Sequence, residues 1–161
     1  MNAVARPDFT IDAFERGEID PEAFDHEAHV YMAWLYLERF ALPADGAQGE
    51  VARLDYERVA EAGGLEEFAG ALRRLTERLG VPGKYHATIT WFFLLLIGER
   101  RSAEPGADWP RFRRRNADLV EDRGLLERYY SRQTLASDRA RQAFALPDRL
   151  LGTAGRGSAL V

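Results

Sequence analysis

Ile89-Thr90-Trp91-Phe92-Phe93-Leu94-Leu95-Leu96-Ile97 is the most apolar stretch of the chain, and its reading decides the fold. It is far short of the ~20 apolar residues that a membrane-spanning helix needs. Polar residues flank it on both sides, from Lys84 to Thr88 and from Glu99 to Arg101. The whole segment reads as one helix over about 84–101 whose middle is apolar all round. A helix of that kind is enclosed by others.

Outward from it, helical spacing recurs and alternating strand patterns are absent. Leu65, Phe68, Leu72, Leu75 and Leu79 repeat at three and four residues, an amphipathic helix closed by the turn Gly80-Val81-Pro82-Gly83. An earlier helix runs to about Phe40, capped either by Asp20 ahead of Pro21 or by Asp25 ahead of His26. His26, His29, Val30, Ala33, Tyr36, Leu37 and Phe40 share one of its faces. Leu42-Pro43 and Asp45-Gly46 break it, and a weaker helix follows over about 50–61. After the loop at 104–108, shorter pieces are expected near 109–118, 124–130 and from Ser131 or Ser137 to 144. The fold class is therefore all-α: a compact irregular bundle of five to seven helices around a buried central helix at about 84–101. It forms one domain over 1–161, with a loose N-terminus (about 1–18) and a loose tail (about 148–161).

The 161 residues suit one core, and 46% hydrophobic with 30% charged is an ordinary globular balance. A net charge of −4 supplies no field that draws nucleic acid or anionic lipid. Cysteine is absent, so disulfides, thiolate metal sites and cysteine nucleophiles are excluded together. Residues 1–14 carry one arginine, two acidic residues and no apolar core, which is no signal peptide, and a cytoplasmic location is the expectation.

The chain holds three histidines. His26 and His29 are three apart, neighbours on one helix face, in His-Glu-Ala-His rather than the His-Glu-x-x-His of zinc proteases. His86 lies in Gly83-Lys84-Tyr85-His86-Ala87-Thr88, at the start of the central helix. All three thus fall in first turns, where the helix dipole disfavours an imidazolium by up to about 1 kcal/mol. A neutral imidazole is the form that ligates metal. The expectation is a mononuclear centre with His26, His29 and His86 as ligands of one transition-metal ion, iron or copper favoured and zinc possible. Tyr85 and Tyr36 stand near enough in sequence to offer a phenol, and Thr90 a hydroxyl. Against this, a pair at helical spacing also arises without function, and His86 can simply cap its own turn.

Other features read as scaffold. Arg111, Arg113, Arg114 and Arg115 are followed by Asp118, Glu121 and Asp122, the pattern of a solvated helix face. Residues 59–72 have a faint helix-turn-helix spacing, but Gly70 and Arg73 stand where that motif packs apolar side chains. Tyr129 and Tyr130 read as packing residues with surface hydroxyls, and Ser131 and Ser137 as N-caps. Glu38, Glu50, Asp55 and Glu99 are candidates for a fourth ligand or a base.

Four stretches together are similar to a group of small bacterial helical proteins without an assigned activity. They are 24–30 with Ala33-Trp34-Leu35-Tyr36-Leu37; Pro82-Gly83-Lys84-Tyr85-His86-Ala87-Thr88-Ile89-Thr90; Asn116-Ala117-Asp118-Leu119; and Arg128-Tyr129-Tyr130-Ser131 leading to Ser137. The resemblance implies that both histidine segments belong to one signature. The DinB-like bundles, which hold a metal with three histidines between helices and act on small thiols, offer an architectural analogy only. Here the paired histidines come first, at a helix start.

The functional expectation is a small-molecule enzyme with a three-histidine metal centre, oxidative with iron or copper. The alternatives are a non-catalytic helical protein binding a small ligand or a partner, and a zinc-dependent hydrolase or transferase. The expected partner is a small-molecule substrate, with no nucleic acid and no membrane, and the sequence leaves the oligomeric state open.

Overall fold

A computed structural model of the chain describes residues 9–40, 64–104 and 106–149. Within them the chain is all helical, with no strand. Three long helices carry the fold: α2 (His26–Phe40), α3 (Gly64–Arg78) and α4 (Ala87–Ser102). Five short ones complete it: α1 (Ile11–Arg16), α5 (Trp109–Arg115), α6 (Asp118–Glu121), α7 (Arg132–Ala136) and α8 (Asp138–Gln142).

The apolar stretch forms the central helix, packed against α2, α3 and α8, but it is not enclosed on every side, since Leu95 is 36% exposed. It runs in the same direction as α2. Near the start of α2 the His26 ring meets Phe93 edge-on, and near its end Arg101 donates to the Leu37 carbonyl and pairs with Glu38. The α3 stripe packs as its spacing requires, with Leu65, Phe68, Leu72 and Leu75 buried against α2 and α4. Full burial of each such side chain contributes roughly 1.5–3 kcal/mol.

Asp25 is the cap of α2: its carboxylate accepts from the Ala28 amide at 2.8 Å, while Asp20 closes a turn on Glu22. Residues 9–18, expected to be loose, are ordered instead. Thr10 caps α1, Gly17 ends it in the left-handed region at φ 70°, and Phe14 is only 1% exposed. Phe14 stacks on Phe68 at 5.7 Å and so docks α1 onto α3. The short period of α1 gave no amphipathic signal, but one deeply buried ring holds it.

The expected piece at 109–118 is two helices, because Asn116 turns back to the Phe112 carbonyl. The piece at 124–130 tightens to a 3₁₀ turn at Leu126–Arg128. Ser131 and Ser137 both act as caps, and the extended backbone at Ser137 (ψ 143°) divides α7 from α8. Asp148, expected in a loose tail, fastens residues 131–134: its carboxylate accepts from the Ser131 amide and from the Ser131 and Thr134 hydroxyls. The helix expected over 50–61 lies outside the described residues. Of the arginine cluster, Arg111 and Arg115 pair with Glu104, and Arg113 with Glu27 and Glu121.

Candidate small-molecule site

A cavity of about 680 Å³ lies between α2, α3 and α4. Its walls are chiefly apolar: Val30 and Ala33 from α2, Leu72 and Leu75 from α3, Ile89 and Phe93 from α4. That size and lining match sites that hold small organic ligands. All three histidines line it, as do Tyr85 and Thr90.

Each imidazole donates one N–H to a backbone carbonyl, which fixes its tautomer. His26 Nε2 donates to Leu119 at 2.8 Å, His29 Nδ1 to Asp25 at 2.8 Å, and His86 Nε2 to Leu135 at 2.9 Å. His86 Nδ1 also accepts from the Ile89 amide at 3.4 Å, so this buried ring caps α4 and has both nitrogens engaged. His26 Nδ1 and His29 Nε2 have no hydrogen-bond partner among the described residues. The His29 ring packs on Phe24 at 4.0 Å, and burial lowers its pKa despite the Asp25 carbonyl, with His26 pushing the same way. It is therefore a neutral acceptor near pH 7.

The three rings share a cavity without converging on one point. His26 sits at the level of Phe93, and His86 precedes Phe93 by seven residues. The two therefore meet α4 at different turns, His86 at its cap and His26 at the ring of Phe93. Among the described residues no three His, Asp or Glu side chains form a group able to hold a metal ion.

Tyr85 lines the cavity with the Arg73 guanidinium 4.9 Å from its ring, and burial raises its pKa against the opposing effect of Arg73. Tyr36 is elsewhere. Its fully buried ring packs edge-on to Phe14 and Phe68, and its hydroxyl donates to Glu15 at 2.9 Å. Its position on the histidine face of α2 points toward the site, but α1 covers that part of the face through Phe14 and Glu15. The Thr90 hydroxyl belongs to a residue 9% exposed and has no hydrogen-bond partner among the described residues. Of the candidate carboxylates, Glu38 is taken by Arg101 and Glu99 does not line the cavity, while Glu50 and Asp55 lie outside the described residues.

Two lining residues went unread in the sequence, Lys84 and Arg141. Arg141 donates to the Gly83 carbonyl at 3.1 Å, across 58 residues, a separation that carries no local signal. The chain matches no known protein family, no characterised protein and no solved structure. No helix among the described residues is long and apolar enough to cross a membrane.

Proposed function

We propose that this is a cytoplasmic small-molecule-binding protein, which takes an apolar or aromatic ligand into the α2–α3–α4 cavity and hydrogen-bonds a ligand O–H or N–H to His29 Nε2. The observation that carries it is a largely apolar cavity of about 680 Å³ whose lining includes a neutral imidazole with a lone pair that no described residue uses. Few polar groups in an apolar wall are what orient a small ligand. Titration calorimetry with phenol and indole, and with their methylated counterparts, tests it. His29→Phe keeps the ring contact with Phe24 and removes the acceptor, so phenol and indole lose about threefold to tenfold in affinity. The methylated compounds are unaffected by that change. Ala33→Phe fills the cavity and abolishes binding of all four. Absence of binding, or binding indifferent to Ala33→Phe, overturns the proposal.

The second reading is the metal-dependent enzyme, with His26, His29 and His86 as ligands of iron, copper or zinc and Tyr85 facing the substrate. What favours it is the carbonyl partner on every imidazole, the arrangement that orients metal-bound histidines. Such a metal would supply a Lewis acid or an oxygen-binding centre. It requires His86 to give up the Ile89 amide and the rings to draw together. Elemental analysis of untagged protein decides: near-stoichiometric metal, lost in His26→Ala, His29→Ala and His86→Ala alike, supports it, and metal-free protein that still binds phenol excludes it.

A further inference from the structure

Lys84 and Arg141 are solvent-exposed and also line the cavity, which places them at its mouth. Neither meets a carboxylate among the described residues. Arg141 spends one N–H on the Gly83 carbonyl, a contact that holds the guanidinium beside the Lys84 backbone and leaves its other donors without a partner among the described residues. Arg73, over the Tyr85 ring, adds a third positive charge nearby and is likewise without a carboxylate among those residues. One acidic side chain lines the cavity among the described residues, Asp25, and its carboxylate caps α2 through the Ala28 amide. The chain as a whole carries −4. A local excess of positive charge at the entrance to an apolar cavity is therefore a property of this site, not of the surface at large.

An apolar interior with a cationic mouth is complementary to an amphipathic anion. We infer that the ligand is a hydroxylated monocarboxylate with an aryl or short acyl body, its carboxylate held by Lys84 and Arg141, its body in the cavity and its hydroxyl donating to His29 Nε2; this rests on the small-molecule reading above. Arginine presents a planar fork that accepts a carboxylate through two N–H groups, and lysine adds a mobile point charge. A neutral amide accepts an N–H through its carbonyl but gains neither the second contact nor the charge pairing, and a cationic head group is repelled.

Phenylacetate and octanoate are compared by calorimetry with phenylacetamide, octanamide and octylamine, on the full chain. The carboxylates bind about tenfold tighter than the matching amides, and the margin shrinks as salt is raised. In Lys84→Gln with Arg141→Gln the margin disappears, while the amides bind as before. Both changes are at exposed positions, and glutamine keeps an N–H for the Gly83 carbonyl, so the fold is retained. Equal binding of carboxylate and amide, or tighter binding of octylamine, overturns this inference and leaves the cavity reading standing. If the amides fail to bind as well, the cavity reading fails with it.

Discussion

Replacing His86 with alanine isolates the contact that fixes the start of the central helix. The residue is 8% exposed, and its ring joins two elements: Nε2–H reaches the Leu135 carbonyl at 2.9 Å and Nδ1 accepts from the Ile89 amide at 3.4 Å. Loss of the cap costs about 0.5 kcal/mol, the low end for such caps, because 3.4 Å is long for a hydrogen bond. Loss of the first bond strands the Leu135 carbonyl at the end of α7, which costs about 1–3 kcal/mol. The total is about 1.5–3.5 kcal/mol, or about 3–14 °C in Tm for a chain of this size.

Urea unfolding followed by circular dichroism, at mildly alkaline pH where imidazoles are neutral, measures it. His86→Asn separates the two contacts: its short side chain caps the helix but does not span to α7, so it recovers about 0.5 kcal/mol and no more. A loss in His86→Ala below about 0.5 kcal/mol refutes the assignment, since substitutions at uninvolved sites fall in that range. Full recovery in His86→Asn refutes the part given to Leu135. A chelator that lowers the wild-type Tm but not that of His86→Ala means that the ring serves a metal instead.

Thr88, 0% exposed, donates to the Ala140 carbonyl at 2.7 Å and accepts from the Ala145 amide at 3.0 Å; Thr88→Val keeps the shape, strands both partners and costs about 2–4 kcal/mol by the same unfolding assay. His29 has a lowered folded pKa against 6.5 unfolded, so above that value both states hold a neutral ring. As pH falls through it the unfolded state takes the proton first, and stability declines; His29→Phe flattens this part of the stability profile. Asp148 has a folded pKa of about 2 against 3.8, held down chiefly by the Ser131 and Thr134 hydroxyls. Its contribution is whole above about 3.8 and disappears as pH falls toward 2; Asp148→Asn removes that acid-sensitive step, read as faster amide exchange at Ser131.

Period and punctuation made the long helices legible. The leucine spacing of α3 and the all-round apolarity of residues 89–97 demand partners, and α2, α3 and α4 supply them to one another. The site was half legible: helix-start positions pointed to three imidazoles at one site, and all three line the same cavity, without forming a group able to hold a metal ion. What a sequence does not encode locally is the stagger between α2 and α4, and that stagger separates His86 from His26. Arg141 and the Tyr36–Glu15 bond were hidden for the same reason, since each joins segments whose docking depends on the whole core.

Helix-start histidines favour the neutral state, and a neutral imidazole has one donor and one acceptor. Short helices such as α6 and α7 end with carbonyls that find no partner inside their own few turns. His26 and His86 answer that need, donating to Leu119 of α6 and Leu135 of α7 and so tying the starts of two long helices to two short ones. His29 differs. Its N–H goes to Asp25, four residues back in its own first turn, so it ties no second element, and its remaining nitrogen is held as an acceptor. Of three residues that look equivalent in the sequence, two tie elements together and the third keeps a ring nitrogen without a partner among the described residues; on the proposed function, variants at His26 and His86 register chiefly in unfolding, and variants at His29 chiefly in binding and on the acid side of the stability profile.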